Sequence, residues 1–175
     1  RRTERFDTMT YSLDAFAKDL KQVLTQGQSP AQLEESRKLV EKALKDPGFV
    51  EANLGDDAEG ERKIVYEDPD LGFCILTHVY KGAKTGNPHD HGPSWAIYGQ
   101  AFGETKMTEY DIVEPPQGDT PGKVKERESY KMVPGDARVY QVGDVHCPER
   151  QSETRLIRIE GMNMNGVKRT PLVPA

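Results

Sequence analysis

Apolar residues recur at helical spacing near the start of the chain. Leu13, Phe16, Ala17, Leu20, Val23 and Leu24 form one stripe, and Leu33, Val40, Ala43 and Leu44 form a second. Ser12 can cap the first helix and Gly27 can end it. Ser29, Pro30 and Gln32 give the second helix a capping box with proline in its first turn. Glu34 and Glu35 stand near its positive end, Lys42 and Lys45 near its negative end. Pro47 and Gly48 are expected to stop it. Two short helices cannot bury a core alone. They are therefore expected to pack against the rest of the chain.

From about Arg62 the period changes from helix to strand. Candidate strands are Ile64 to Tyr66, Phe73 to Tyr80, Trp95 to Phe102, Lys106 to Ile112, Ser129 to Val133, Ala137 to Val142 and Thr154 to Glu160. Turn residues separate them, as at Asp68-Pro69-Asp70 and Pro134-Gly135-Asp136. Val113 to Lys123 is rich in proline and glycine and reads as a surface loop. Many short strands with regular turns predict a sandwich or barrel. The tail after Met162 reads as irregular, on the surface or against a partner chain.

Composition narrows the class. The chain has 175 residues, 35% hydrophobic and 30% charged, enough for one domain with a core. Such a domain buries roughly 70% of its unfolded surface. A formal net charge of −5 argues against nucleic acid or an anionic membrane as partner. No apolar run reaches the length of a membrane span. Arg1 to Arg5 lacks the apolar core of a signal peptide, and no initiator methionine is present. Cys74 and Cys147 do not make a disulfide framework, so a reducing cytoplasm is the expected compartment.

The candidate chemistry lies in three histidines. His89 and His91 are two residues apart, which in a strand puts both side chains on one face. Pro88, Gly92 and Pro93 oppose a helix there, so the pair reads as a strand-borne metal grip. His146 closes the run Gly143-Asp144-Val145-His146 and can supply a third imidazole from a distant strand. Neutral imidazoles suit ferrous iron, copper, nickel or zinc.

The residues around them repeat a known spacing. Ala96 is fifth after His91, and Gly103 is seventh after Ala96; Gly143 stands three before His146, and Gly135 eight before Gly143. This resembles the two motifs of the cupin superfamily over roughly residues 60 to 162. The resemblance departs in three places. Ala83, beside Gly82, stands for the usual first glycine, Gln141 for the usual proline, and Ala96 for the acidic ligand.

Without that carboxylate the chain looks most like the cysteine-dioxygenase-type thiol dioxygenases, which hold ferrous iron with three histidines. The stretch Phe73 to His91 has the length of their strand–loop–strand, and Gly103-Glu104-Thr105 is similar to their next strand. The resemblance implies an all-β double-stranded β-helix barrel over 60–162, preceded by a helical segment at 1–59 and followed by a tail at 163–175, all as one domain. It implies Fe(II), with zinc, nickel, manganese or copper as alternatives. About three coordination positions would stay open for substrate and O2.

The implied activity is an iron(II) dioxygenase acting on a small thiol or other bidentate organic acid, as a monomer or homodimer. The alternatives are a non-redox isomerase, lyase or decarboxylase of a small acid, and a small-molecule-binding sensor.

The resemblance also suggests roles for further residues. His78 falls at a pocket-lining position and is expected to carry protons or touch substrate. Tyr98 shares the face of Ala96 and is expected to line the pocket. Lys63 is nearest in register to the family's carboxylate-gripping arginine, and Arg158 can supply a guanidinium fork. In the non-redox alternative, Glu160 would move protons with His78. The family's Ser-x-His-x-Tyr triad is absent from the comparable stretch, Leu156 to Glu160. Asp90 is expected to orient its loop, Trp95 to pack in the core or at the mouth, and Cys147 to point away from the metal.

Overall fold

The structure, a computed structural model, describes residues 10–169 and 171–175. The reading of residues 1–5 lies outside the described residues.

Among the described residues three helices precede the strands: α1 (Leu13–Thr25), α2 (Pro30–Leu44) and α3 (Pro47–Leu54). Ser12 caps α1 by accepting the Ala15 N–H at 3.0 Å. At α2 the Ser29 N–H donates to Gln32 Oε1 at 3.1 Å. The third helix corrects the expectation that Pro47-Gly48 only stops α2. Pro47 opens α3, where a missing N–H is harmless, and Asp46 caps it by accepting the Phe49 N–H at 3.0 Å.

Ten strands come after the helices among the described residues. They are β1 (Lys63–Glu67), β2 (Cys74–Tyr80), β3 (Lys84–Thr85), β4 (Ala96–Phe102) and β5 (Thr105–Glu114). Then come β6 (Gly122–Met132), β7 (Ala137–Tyr140), β8 (Val145–Arg150), β9 (Thr154–Glu160) and β10 (Leu172–Pro174). One sheet runs β1-β2-β9-β4-β7 and the other β10-β6-β5-β8-β3. Strands β2 to β9 thus cross between the two sheets at every step but the β5–β6 hairpin, the order of a jelly roll. The fold is the double-stranded β-helix with amino-terminal helices.

Three short strands were not expected. β8 carries Pro148 and two charges, which hide its alternation. β3 has only two residues. β10 lies in the tail expected to be irregular, but pairs in parallel with β6 from Leu172↔Gly122. The expected loop at 113–123 shrinks because β5 and β6 form a long hairpin reaching Glu114↔Lys123.

The first sheet has two different faces. Ile75, Val79, Ile97, Ile157 and Ile159 join Phe16, Leu20, Val40 and Phe49 of the helices in one buried apolar cluster. Phe16 and Phe49 meet edge-on at 5.4 Å. Gly99 lets α2 approach: a Cβ there would stand 2.6 Å from Val40 and 2.8 Å from Ile157. The alternate residues face the barrel interior. There Ala96, Tyr98 and Tyr140 meet Met107 and Met132 of the second sheet.

Candidate metal centre

His89 and His91 do not lie in a regular strand, contrary to the expected strand-borne grip. They sit in the connection from β3 to β4, and only His89 makes a bridge. Its partner is His146 of β8. Each backbone N–H donates to the other's carbonyl at 2.9 Å. The histidines thus clamp their own loop to β8. Beyond the bridge the chain turns: Asp90 Oδ1 accepts the Gly92 N–H at 3.0 Å, and Gly92 takes a φ of +58°. That turn, rather than strand pleating, brings His91 beside His89.

The ligating atoms of His89, His91 and His146 all lie within 4.8 Å of one another. His91 Nε2 and His146 Nε2 are 3.3 Å apart. Two nitrogens held at about 2.0–2.1 Å on a metal, in octahedral or tetrahedral geometry, stand about 2.8–3.4 Å apart. The spacing fits a cation. The outer nitrogens support it. His89 Nδ1–H donates to the Asn87 carbonyl at 2.8 Å, and His91 Nδ1–H to Glu160 Oε2 at 2.9 Å. These bonds leave the Nε2 lone pairs free for a metal.

The electrostatics agree. Burial pushes His89 down to about 4. Burial also lowers His91, against the pull of the Glu160 carboxylate. Burial and the two neighbouring imidazoles hold His146 well below the usual range. All three are neutral at pH 7, as ligands must be. Ala96 is fully buried and offers no carboxylate.

The inward face of the first sheet brings His78, Tyr98, Arg158 and Glu160 towards this centre. The Tyr98 hydroxyl is 2.9 Å from His91 Nε2 and 3.1 Å from His146 Nε2. His78 donates from Nδ1 to the Glu61 carbonyl at 2.6 Å, leaving its buried Nε2 without a partner. Burial, then the Arg158 charge, holds His78 well below the usual range. Glu160 is fully buried and already engaged by His91, by Arg62 at 3.4 Å and by Arg158 at 3.7 Å. Burial would raise its pKa, but the His91 hydrogen bond and the arginine charges win and hold it at about 2. It stays ionised, which suits orienting His91 and not moving protons near neutrality.

Lys63 is not brought to the site. It is exposed and pairs with Thr77, on the opposite side of the sheet from His78. Its neighbour Arg62 reaches the buried Glu160 instead.

Arg150 was missed by sequence reasoning. It is 3% exposed, its Nε and Nη2 have no partner among the described residues, and its guanidinium lies 4.6 Å over the Tyr80 ring. Burial, the main cause, pulls its pKa down. Part of the signal was available, although Pro148 masks the strand. Arg150 lies four after His146 on one strand, hence on the same face. Arg158 Nε is also buried without a partner. Trp95 donates to Gln28 Oε1 at 2.8 Å and so ties the barrel to the α1–α2 connection. Cys147 Sγ faces the Gly86 carbonyl at 3.1 Å, away from the triad.

Two motif glycines have structural reasons. Gly103 takes a φ of +74°, and a Cβ there would stand 2.3 Å from the Glu153 carbonyl. Gly143, with a φ of +89°, turns the chain into β8.

No family model and no curated protein matches the chain. Similar solved structures include a cupin superfamily protein from Desulfitobacterium hafniense. It is 11% identical with a TM-score of 0.44, over 61% of this chain and 84% of that one. Another is KdgF from Halomonas sp., 19% identical with a TM-score of 0.43, over 60% and 82% of the two chains. A third is an oxalate oxidase in complex with glycolate, 16% identical with a TM-score of 0.43, over 61% and 53%. Likenesses at these values carry no inference about activity. Strand order alone defines the jelly roll. Within it stands a three-histidine cluster fit for a metal. No helix among the described residues is long and apolar enough to cross a membrane.

Proposed function

We propose that the protein is a metal-dependent enzyme of the cupin type, an iron(II) dioxygenase acting with O2 on a small thiol or other bidentate organic acid. One observation carries the reading. A carboxylate-free triad of neutral histidines shares its barrel interior with guanidinium groups whose donors are unmatched. Leaving a buried charge unpaired is expensive, so Arg150 calls for an anion, and Arg158, whose charge already meets Glu160, has an unmatched Nε–H to add. A guanidinium fork fits a carboxylate. Arg150 and Arg158 hold the acid, Glu160 fixes the His91 ring, and the free His78 Nε2 accepts a hydrogen bond from the substrate's donor group. His89, His91 and His146 would hold the ion. When bound, ferrous iron would activate O2, with the net electrons coming from the substrate that is oxidised. A net charge of −5 supports small molecules, not nucleic acid or membrane, as partners. We read the protein as a cytoplasmic monomer or homodimer.

The test is oxygen uptake by metal-free protein reloaded with Fe(II), across a panel of small mercapto and hydroxy acids. Uptake should require iron and should vanish, with the metal, in His146→Ala. Anaerobic turnover with zinc would instead favour a non-redox isomerase, lyase or decarboxylase. The free lone pair of His78 and the Tyr98 hydroxyl favour that second reading, since both can move protons.

A further inference from the structure

Tyr98 is buried in an unusual position. It lies on β4 two residues after Ala96, on the same inward face, and is 1% exposed. Its hydroxyl oxygen, His91 Nε2 and His146 Nε2 form a triangle with sides of 2.9, 3.1 and 3.3 Å. The sides match the spacing of atoms sharing one metal, about 2.8–3.4 Å for bonds of about 2.0–2.1 Å. A residue that only lined a substrate pocket would not need its oxygen equidistant from two ligand nitrogens.

Charge points the same way. Three neutral imidazoles leave a dication uncompensated in a barrel that already holds Arg150 and Arg158. The one buried glutamate, Glu160, is taken up by His91 and two arginines. Ala96 leaves empty the place of an anionic ligand. A phenolate would supply the missing negative charge, and the Arg158 guanidinium, 4.5 Å over the Tyr98 ring, would favour it.

We propose that Tyr98 is a fourth metal ligand, its phenolate oxygen replacing the carboxylate that Ala96 lacks. This rests on the three-histidine reading of the centre. A bound cation would take the oxygen as phenolate, as it does coordinated water and thiols, and the proton would leave to solvent. A six-coordinate ion would then keep two positions for substrate and O2, not three. The competing arrangement is a hydrogen-bonded trio, in which His146 carries its hydrogen on Nε2 and that nitrogen is withdrawn from metal binding.

Ferric iron added to the metal-free protein tests the proposal directly. A tyrosinate on ferric iron gives an intense visible charge-transfer band, and histidine ligands alone do not. Wild type should show the band. Tyr98→Phe, which keeps the ring and its packing, should bind iron without it. Zinc calorimetry at pH 6, below the range where a three-histidine zinc ionises its bound water, in two buffers of different ionisation enthalpy should show about one proton released per ion in wild type and nearly none in Tyr98→Phe. Zinc affinity should fall about 10- to 100-fold in the variant.

Iron uptake by wild type without the band overturns the proposal and leaves the triad standing. A band of equal strength in the variant overturns it as well. Failure of wild type to take up any metal overturns both. A band without oxygen uptake keeps Tyr98 as a ligand and sinks only the dioxygenase reading. If Tyr98→Phe does not fold, the wild-type band and proton count decide.

Discussion

The two faces of the sheet β1-β2-β9-β4-β7 are built from the same strands by alternate residues, yet they are held by different forces. Outward, Ile75, Ile97, Ile157 and Ile159 lie under the helices in a core of apolar area and close fit. Inward, His78, Tyr98, Arg158 and Glu160 face the barrel with charges, unmatched donors and an unmatched lone pair. Strand β9 shows the contrast in one stretch. Ile157 and Ile159 point to the helices, Arg158 and Glu160 to the site, and all four are buried. The lesson is a division of labour. The outer face supplies stability that the inner face gives up for binding.

The sharpest way to break this contrast is to cut the outer face. Phe16→Ala removes a fully buried ring packed on Phe49 and should destabilise the protein by about 3–5 kcal/mol. Denaturant unfolding measures it. Metal stoichiometry of the folded fraction should not change. If the variant folds but no longer holds metal, the two faces are coupled and the division fails.

Between pH 7 and 4.5 acid should act first on the imidazoles of the candidate metal centre. His89 has a folded pKa of about 4 against 6.5, so between those values the unfolded chain binds more protons. Its contribution is complete above about pH 6.5 and lost as pH falls to about 4. His91 and His146 act in the same direction. Glu160, at about 2 against 4.5, adds a second loss below pH 4.5. The His89 share is on the order of 3 kcal/mol. Urea midpoints of metal-free protein should drop between pH 7 and 4.5, less steeply in His89→Ala. A flat profile would mean that these imidazoles are not held neutral by burial.

The smallest effect has the opposite sign. Arg150→Met replaces a buried, unmatched guanidinium with an apolar chain. Without metal or ligand it should raise stability by about 1–2 kcal/mol, while weakening binding of a small carboxylate such as succinate. Thermal unfolding and calorimetry check the two halves. A clear loss of stability would show that Arg150 holds the barrel together.

Much of this was legible where the physics is local. Ser12 and Gln32 act at helix starts within three or four residues, as their types require. The histidine spacing pointed to the triad before any distance was known. What escaped depends on partners far along the chain or on a single step of register. Lys63 pairs with Thr77 on the outer face, while Arg62 stands one position before β1 and reaches Glu160. Pro47 reads equally as a stop and a start until Asp46 is seen capping α3. Arg150 was hidden because Pro148 breaks the alternation that would reveal β8. The approach of the Tyr98 hydroxyl to two imidazoles depends on how two sheets close on each other, which no local pattern records.

The place of β9 also sets an order of events. It lies between β2 and β4, and those two strands make no direct pair. A growing chain therefore carries β2 and β4 with open edges until residues 154–160 emerge. Pairings such as Cys74↔Glu160 close long loops, and such topologies fold slowly. Glu160, which orients His91, is the last residue of that inserted strand. The cation pocket is thus completed by the same step that seals the barrel, and a half-made chain has no finished site in which to trap the wrong ion.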